Sequence, residues 1–198
     1  IYYTTYFVRC KIVNMIITAG KYKGLKIEAP DEKITRPTLS KVRMAVFNTL
    51  SVMMDFEGHN FLDMYAGSGI MGLEALSRGF DNVTELELDG KVFSVLKRNC
   101  SKFSDKNIRL YKGDSLKCVE KLRSQFDVIY IDPPYFIENI YEKSLAAVKN
   151  YARGIIIVEH VIDVNFDGFE LKKQKSYGKK KVSFLLNKHK LLTNFKKS

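Results

Sequence analysis

From residue 61 to residue 159, short runs of β-branched and aromatic residues alternate with segments whose apolar residues recur at helical spacing. Such alternation builds βαβ units and restricts the chain to a doubly wound, mostly parallel α/β sheet with helices on both faces. Strands are expected over 61–65, 82–88, 107–110, 128–131 and 155–159, with helices over 70–78, 91–103, 115–123 and 140–150 between them. The runs at 169–176 and 181–187 have no helix between them and turn at Tyr177-Gly178, so a seven-stranded sheet ends in an antiparallel hairpin. Ahead of the alternation, Met15 opens the first organised stretch and is expected to be the physiological start. Residues 16–27 read as a short hairpin around Gly20 and Gly24, and Leu39, Val42, Val46 and Leu50 place a helix over 39–50 behind a Thr38 N-cap. The expected division is an unstructured or upstream extension over 1–14, an N-terminal hairpin and helix over 15–58, and the sheet domain over 59–198.

At 198 residues the chain is long enough for one full domain and a small appendage. No apolar run approaches the ~20 residues of a bilayer span, and the start lacks a signal-peptide pattern, so a cytoplasmic protein without a membrane association is expected. Cys10, Cys100 and Cys118 are odd in number and widely spaced, which points to neither a disulfide framework nor a metal site. The net charge of +11 is concentrated late in the chain, where ten lysines and no acid lie between residues 171 and 198. A polyanionic partner fits that distribution, although a solvated lysine-rich surface has the same composition.

Two loops carry chemistry. Asp63-Met64-Tyr65-Ala66-Gly67-Ser68-Gly69-Ile70-Met71-Gly72 puts small residues where a strand turns into a helix and a ligand can approach the backbone. Gly67, Gly69 and Gly72 have the GxGxxG spacing, and Glu87 ends the next strand, so a dinucleotide site is a live alternative. Two acids favour S-adenosylmethionine instead: Asp63 beside the glycines suits an ammonium group and would repel a pyrophosphate, and Asp114 offers a carboxylate to an adenine amino group. The second loop, Asp132-Pro133-Pro134-Tyr135, follows the apolar run Val128-Ile129-Tyr130-Ile131. Each proline removes an N–H and fixes its own φ, so a carboxylate, unpaired carbonyls and an aromatic ring are preset at one strand end. Those groups suit a planar molecule that carries an NH2. The first and fourth strands of such a sheet are neighbours, so the two loops face one another across one crevice.

Basic residues interleaved with an aromatic on the hairpin, Lys21, Tyr22, Lys23 and Lys26, read as a nucleic-acid contact, and Arg36 and Arg43 lie off the apolar stripe of the following helix. Taken with Thr35-Arg36-Pro37-Thr38, Val42-Arg43, Phe47-Asn48 and the block Leu62-Asp63 through Gly72-Leu73-Glu74-Ala75-Leu76-Ser77-Arg78-Gly79, these features resemble the RsmD family of class I S-adenosylmethionine-dependent methyltransferases. The resemblance implies a Rossmann-like methyltransferase fold and methylation of guanine N2 in bacterial 16S rRNA, within the small subunit or an assembly intermediate. It further implies that Asp63, Ala66, Gly67, Ser68, Gly69, Gly72, Glu87 and Asp114 bind the cofactor. Asp132, Pro133, Pro134 and Tyr135 would hold the target base, and the hairpin and Arg36 would help to bind RNA, in a monomeric enzyme. Ala19-Gly20, Leu25, Leu88 and Lys179-Lys180-Lys181 depart from the family pattern and bear on how RNA docks. A DNA adenine-N6 methyltransferase shares the four-residue loop but would need a target-recognition insertion for which this chain has no room. A non-catalytic RNA-binding assembly factor is the rival of a different class.

Overall fold

The computed structural model describes residues 14–30, 40–105 and 107–188. The Thr35–Thr38 motif, Arg36 and Cys10 lie outside the described residues. The chain opens with β1 (Asn14–Ile16) and β2 (Lys26–Glu28), an antiparallel pair, followed by α1 (Ser40–Met53). The alternating region then supplies β3 (Asn60–Asp63), α2 (Ile70–Ser77), β4 (Asn82–Glu87), α3 (Gly90–Cys100), β5 (Ile108–Lys112), α4 (Ser115–Leu122), β6 (Phe126–Ile131), α5 (Ile140–Val148) and β7 (Ala152–His160). A hairpin of β8 (Phe169–Tyr177) and β9 (Lys180–Asn187) closes the chain. The seven strands are ordered β5-β4-β3-β6-β7-β9-β8, parallel from β5 to β7 and antiparallel thereafter. This is the Rossmann-like class I methyltransferase fold.

Alternation of side chains along each strand divides the core between two faces. Val128 and Tyr130 of β6 pack with α1, α2, α3 and the hairpin residues Met15, Ile17 and Ile27. Ile129 and Ile131 pack on the other face against α4 and α5. Both faces being covered, β6 is buried at every position, which is why Val128 to Ile131 is an apolar run, while Asp127 near its start is paired with Arg153. Each such Val or Ile contributes roughly 1.5–3 kcal/mol of burial. The hairpin and α1 share this core with the sheet domain, so the N-terminal segment is built into the main body.

Of the boundaries that differ from the sequence expectation, two have clear local reasons. Helix α3 stops at Cys100, and Phe103 is carried into the core by a tightened turn in which Lys102 N donates to Asn99 O and Phe103 N to Cys100 O. Strand β7 starts at Ala152, earlier than the apolar run, because a register shift opposite Phe126 and Val128 places exposed Arg153 and small Gly154 inside it. A Cβ on Gly154 would lie 1.9 Å from the Asp127 carbonyl oxygen, so that close approach requires glycine. Among the described residues, no helix is long and apolar enough to cross a membrane.

Candidate active site

Between β3 and β6 the strand order reverses, so the loops leaving their carboxyl ends diverge and open a crevice. Its volume is about 930 Å³, within the range of small-molecule sites. Ala66, Gly67 and Ser68 line it from the loop after β3, Glu87 from the end of β4, Asp114 from beyond β5, and Asp132 to Tyr135 from beyond β6. The strand ends are stitched together by backbone bonds from Met64 N to Tyr130 O (3.1 Å), Ala66 N to Leu86 O (2.9 Å) and Gly113 N to Glu87 O (2.9 Å). The structure therefore brings both chemically loaded loops into one opening.

On the first loop, Gly67 takes φ +56° and a Cβ there would meet open space, so a ligand can lie against its backbone. Glu87 Oε2 accepts from Gly67 N at 2.9 Å and Oε1 from Asp89 N at 2.8 Å. Burial raises the Glu87 carboxyl above its ordinary value, while these amides and that of Leu88 pull it back. Asp114 caps α4 by accepting from Leu116 N at 3.0 Å and remains exposed to the crevice.

Three residues expected at the ligand do not line the crevice: Asp63, Gly69 and Gly72. Asp63 is 1% exposed because it is still part of β3, paired with Tyr130, and its carboxyl folds back to the Tyr65 amide at 3.2 Å. Burial above all, with the charges of Asp132 and Glu87, raises its pKa to about 8. Gly69 starts α2 in the left-handed conformation. Gly72 serves packing: a Cβ there would lie 2.2 Å from Glu85 Oε1 and 2.6 Å from Val83 Cγ1. The third glycine of the motif thus lets α2 approach β4 closely.

On the second loop, the Tyr135 hydroxyl lies 3.4 Å from Asp132 Oδ1. Burial lifts the Asp132 carboxyl to about 6, against the opposing pull of the Lys180 charge and the Tyr135 hydroxyl. Such a value suits a group that accepts a proton near neutral pH.

The proposed RNA contacts divide. Lys23 and Lys26 are exposed. Lys21 pairs with Asp105 at 3.0 Å, and the Tyr22 ring packs at a tilt of 53° on Phe103 with centroids 4.5 Å apart while its hydroxyl donates to Asp105 at 2.5 Å. Tyr22 is thereby a clip that fastens the hairpin to the end of α3. Arg43 is a correction: it is 0% exposed, donating from Nε to Glu74 at 3.1 Å and from Nη2 to Ile16 O at 2.6 Å. Its place is the interior, because its partner carboxylate lies on α2, where helical periodicity in α1 alone gives no sign of it.

Sequence reading missed the crevice walls. Met15 and Pro30 come from the hairpin side and Phe136, Ile137 and Lys143 from the region after the proline loop. Phe136, 89% exposed directly after Tyr135, carried a signal in its position beside the motif, whereas Met15 carried none. Asn99, fully buried on α3, was also invisible: its Nδ2 donates to both Glu28 O and Ser68 O at 2.9 Å and so ties the hairpin to the glycine loop. His160 bonds Ile162 O and Ser183 Oγ within the fold, as a strand-end residue should.

Residues 15–186 match the family described as conserved hypothetical protein 95, the RsmD family. The chain belongs to the RsmD family. Relatives include ribosomal RNA small subunit methyltransferase D of Haemophilus influenzae, 34% identical over 173 residues, 82% of this chain and 88% of the relative. The protein of the same name from Buchnera aphidicola is 33% identical over 138 residues, 69% of this chain and 71% of its own. Among solved structures, a candidate methylase of Haemophilus influenzae superimposes with a TM-score of 0.69 at 28% identity, covering 88% of this chain and 99% of the other. A candidate methyltransferase of Escherichia coli reaches 0.76 at 23% identity over 87% and 97%, a likeness of fold. As an RsmD family member the chain is a methyltransferase.

The residues present fit the methyl donor of this family. Open space over Gly67 admits a ligand to the backbone, and Glu87 keeps acceptor capacity beyond its amide bonds for a pair of ribose hydroxyls. Asp114 is exposed where an adenine amino group could reach it.

Proposed function

We propose that this enzyme transfers a methyl group from S-adenosylmethionine to the exocyclic N2 of one guanine in bacterial small-subunit (16S) rRNA. The substrate is the small subunit or an assembly intermediate, and the enzyme acts as a cytoplasmic monomer. The observation that carries this reading is the single crevice in which Asp132, Pro133 and Tyr135 face Gly67 and Glu87. The names of the relatives add ribosomal RNA as the substrate class.

Bound S-adenosylmethionine supplies an electrophilic methyl group on a sulfonium. Ala66, Gly67 and Ser68 would hold it through backbone atoms, Glu87 through the ribose and Asp114 through the adenine. The guanine amino nitrogen is a weak nucleophile because its lone pair is delocalised into the ring. The Asp132 carboxylate and the Pro133 carbonyl accept hydrogen bonds from its two N–H groups and favour a pyramidal nitrogen with the lone pair exposed. Pro134 has no N–H to compete for that geometry. Tyr135 stacks on the base, and the excess proton leaves to an Asp132 oxygen or to water. Positioning and electrostatics carry the rate. Reaching an exocyclic amine requires an unpaired or flipped base, which a loop in a folded ribosomal particle provides.

The test is transfer of labelled methyl from S-adenosylmethionine to small subunits lacking base modifications, with the nucleoside identified by mass spectrometry. N2-methylguanosine at one site is expected, and Asp132→Ala should slow its formation by roughly 10²–10³. Label in DNA or tRNA instead would overturn the substrate, and cofactor binding without transfer to any nucleic acid would favour the assembly-factor reading.

A further inference from the structure

The Asp132 loop rests on a polar network that the chemistry above leaves unused. Tyr130, two residues before Asp132, donates its hydroxyl to Glu159 Oε2 at 2.5 Å. Glu159 is fully buried near the end of β7 and its Oε1 forms an ion pair with Lys180, the first residue of β9. The register pairs Ile131 with Val158 and Glu159 with Val182, so the end of β6, the end of β7 and the start of β9 meet at the edge where the crevice opens. Residues two apart on a strand share a face, which puts Tyr130, Val182 and the groups between them on the face that also packs α1. The three consecutive lysines are unequal: Lys179 is exposed, Lys181 pairs with Asp163 at 2.7 Å, and the side chain of Lys180 is only 13% exposed. Enclosing an ion pair costs desolvation and is weak evidence of a purely stabilising role.

We propose that Lys180 is a positioning residue for methyl transfer: anchored by Glu159, which also holds Tyr130, its ammonium keeps the neighbouring Asp132 carboxyl ionised to receive an amino hydrogen. This rests on the reading of Asp132 as the acceptor for the substrate amine. The charge of Lys180 is the largest influence opposing the burial that raises Asp132 to about 6. The other groups facing that carboxyl give it no comparable help. Asp63 on β3 is itself raised to about 8, and the Tyr141 phenol on α5 is pushed well above its usual range by burial first and by the Asp132 charge next. Tyr135, on the same loop, adds the weaker pull of one long hydrogen bond. Without Lys180 the site therefore drifts toward a protonated Asp132 that can no longer accept both a hydrogen bond and a proton.

The experiment follows the carboxyl NMR signal of Asp132, assigned with Asp132→Asn, through a pH titration of the full chain and of Lys180→Met and Lys180→Arg. Lys180→Met should move the midpoint upward by roughly one unit or more, and Lys180→Arg should restore it. The acid limb of kcat on small subunits should move with the midpoint, while the affinity for S-adenosylmethionine stays where it was. An unchanged midpoint in Lys180→Met, or an equal loss of rate in both variants at every pH, would overturn the proposal. If Lys180→Met fails to fold, Glu159→Gln decides: an ammonium that has lost its anchor should let the Asp132 midpoint rise, and a midpoint that stays or falls would sink the idea. A full chain that transfers no methyl group to RNA defeats the functional reading alone, because the titration still reports on Lys180.

Discussion

Two carboxylates, one in the clamp that fastens the hairpin to α2 and one in the seam between β4 and α2, are equally buried at 0% exposure and live under opposite conditions. Glu74 accepts from the Thr18 amide at 2.8 Å and the Thr18 hydroxyl, and pairs with Arg43 at 3.1 Å and Arg78 at 2.7 Å. Among the described residues, Glu85 has no hydrogen-bond partner for either oxygen. Burial above all, with the charges of Asp63 and Glu87, raises its pKa well above the ordinary 4.5. The clamp surrounds its carboxyl group with two guanidiniums, and the seam favours the neutral form of its acid. Burial is the same in both places, so the partners alone decide which form persists.

The largest effect should come from breaking the clamp. Glu74→Gln leaves Arg43 buried beside a neutral amide and should cost about 3–5 kcal/mol in denaturant unfolding. A loss below about 1 kcal/mol would mean that the two regions differ only in appearance. In the seam, Glu85→Leu removes an unsatisfied acid and should stabilise by roughly 1–3 kcal/mol. The pH dependence has a definite sign. A folded pKa above the unfolded one means that the native state keeps the proton, so this contribution is fully present below the ordinary carboxylate value. It is lost as pH rises through the folded value, and the gain from Glu85→Leu should therefore grow toward alkaline pH. Melting curves in which that gain shrinks as pH rises would place an unseen partner at Glu85. The smallest effect belongs to the outer clip: Tyr22→Phe removes the hydroxyl's bonds to Asp105 and Ser104 at the edge of the fold and should cost about 0.5–1 kcal/mol. A loss matching that of Glu74→Gln would show that the hairpin is held at its tip rather than at its root.

Much of this was legible in the sequence. The alternation from residue 61 foretold the sheet, and Asp132 to Tyr135 foretold a rigid loop at a strand end, because both are local patterns dictated by backbone chemistry. Arg43 was misread because periodicity sorts residues within a single helix, while Glu74 is 31 positions away. Asp63 was read from its place in a motif, but it lies inside β3, where pairing with Tyr130 of β6 and the cover on the sheet bury it. Glu85 sits in Val83-Thr84-Glu85-Leu86-Glu87, which reads as a half-exposed strand until helices are seen to cover both faces. Lys180 looked like one more member of a basic run, and only its enclosed ion pair with Glu159 of β7 separates it from its neighbours.

Asn99 gives one carboxamide to two places, the carbonyl of Glu28 in the hairpin and the carbonyl of Ser68 in the glycine loop. Met15 and Pro30 extend the same hairpin into the crevice wall. The small-molecule chamber is thus completed by a part of the chain that also presents Lys23 and Lys26 to solvent. Were filling the chamber to steady the hairpin, whatever grips the hairpin would steady the chamber in equal measure, since such coupling is reciprocal. On that reading a ligand in the chamber and one on the hairpin need not touch in order to sense each other.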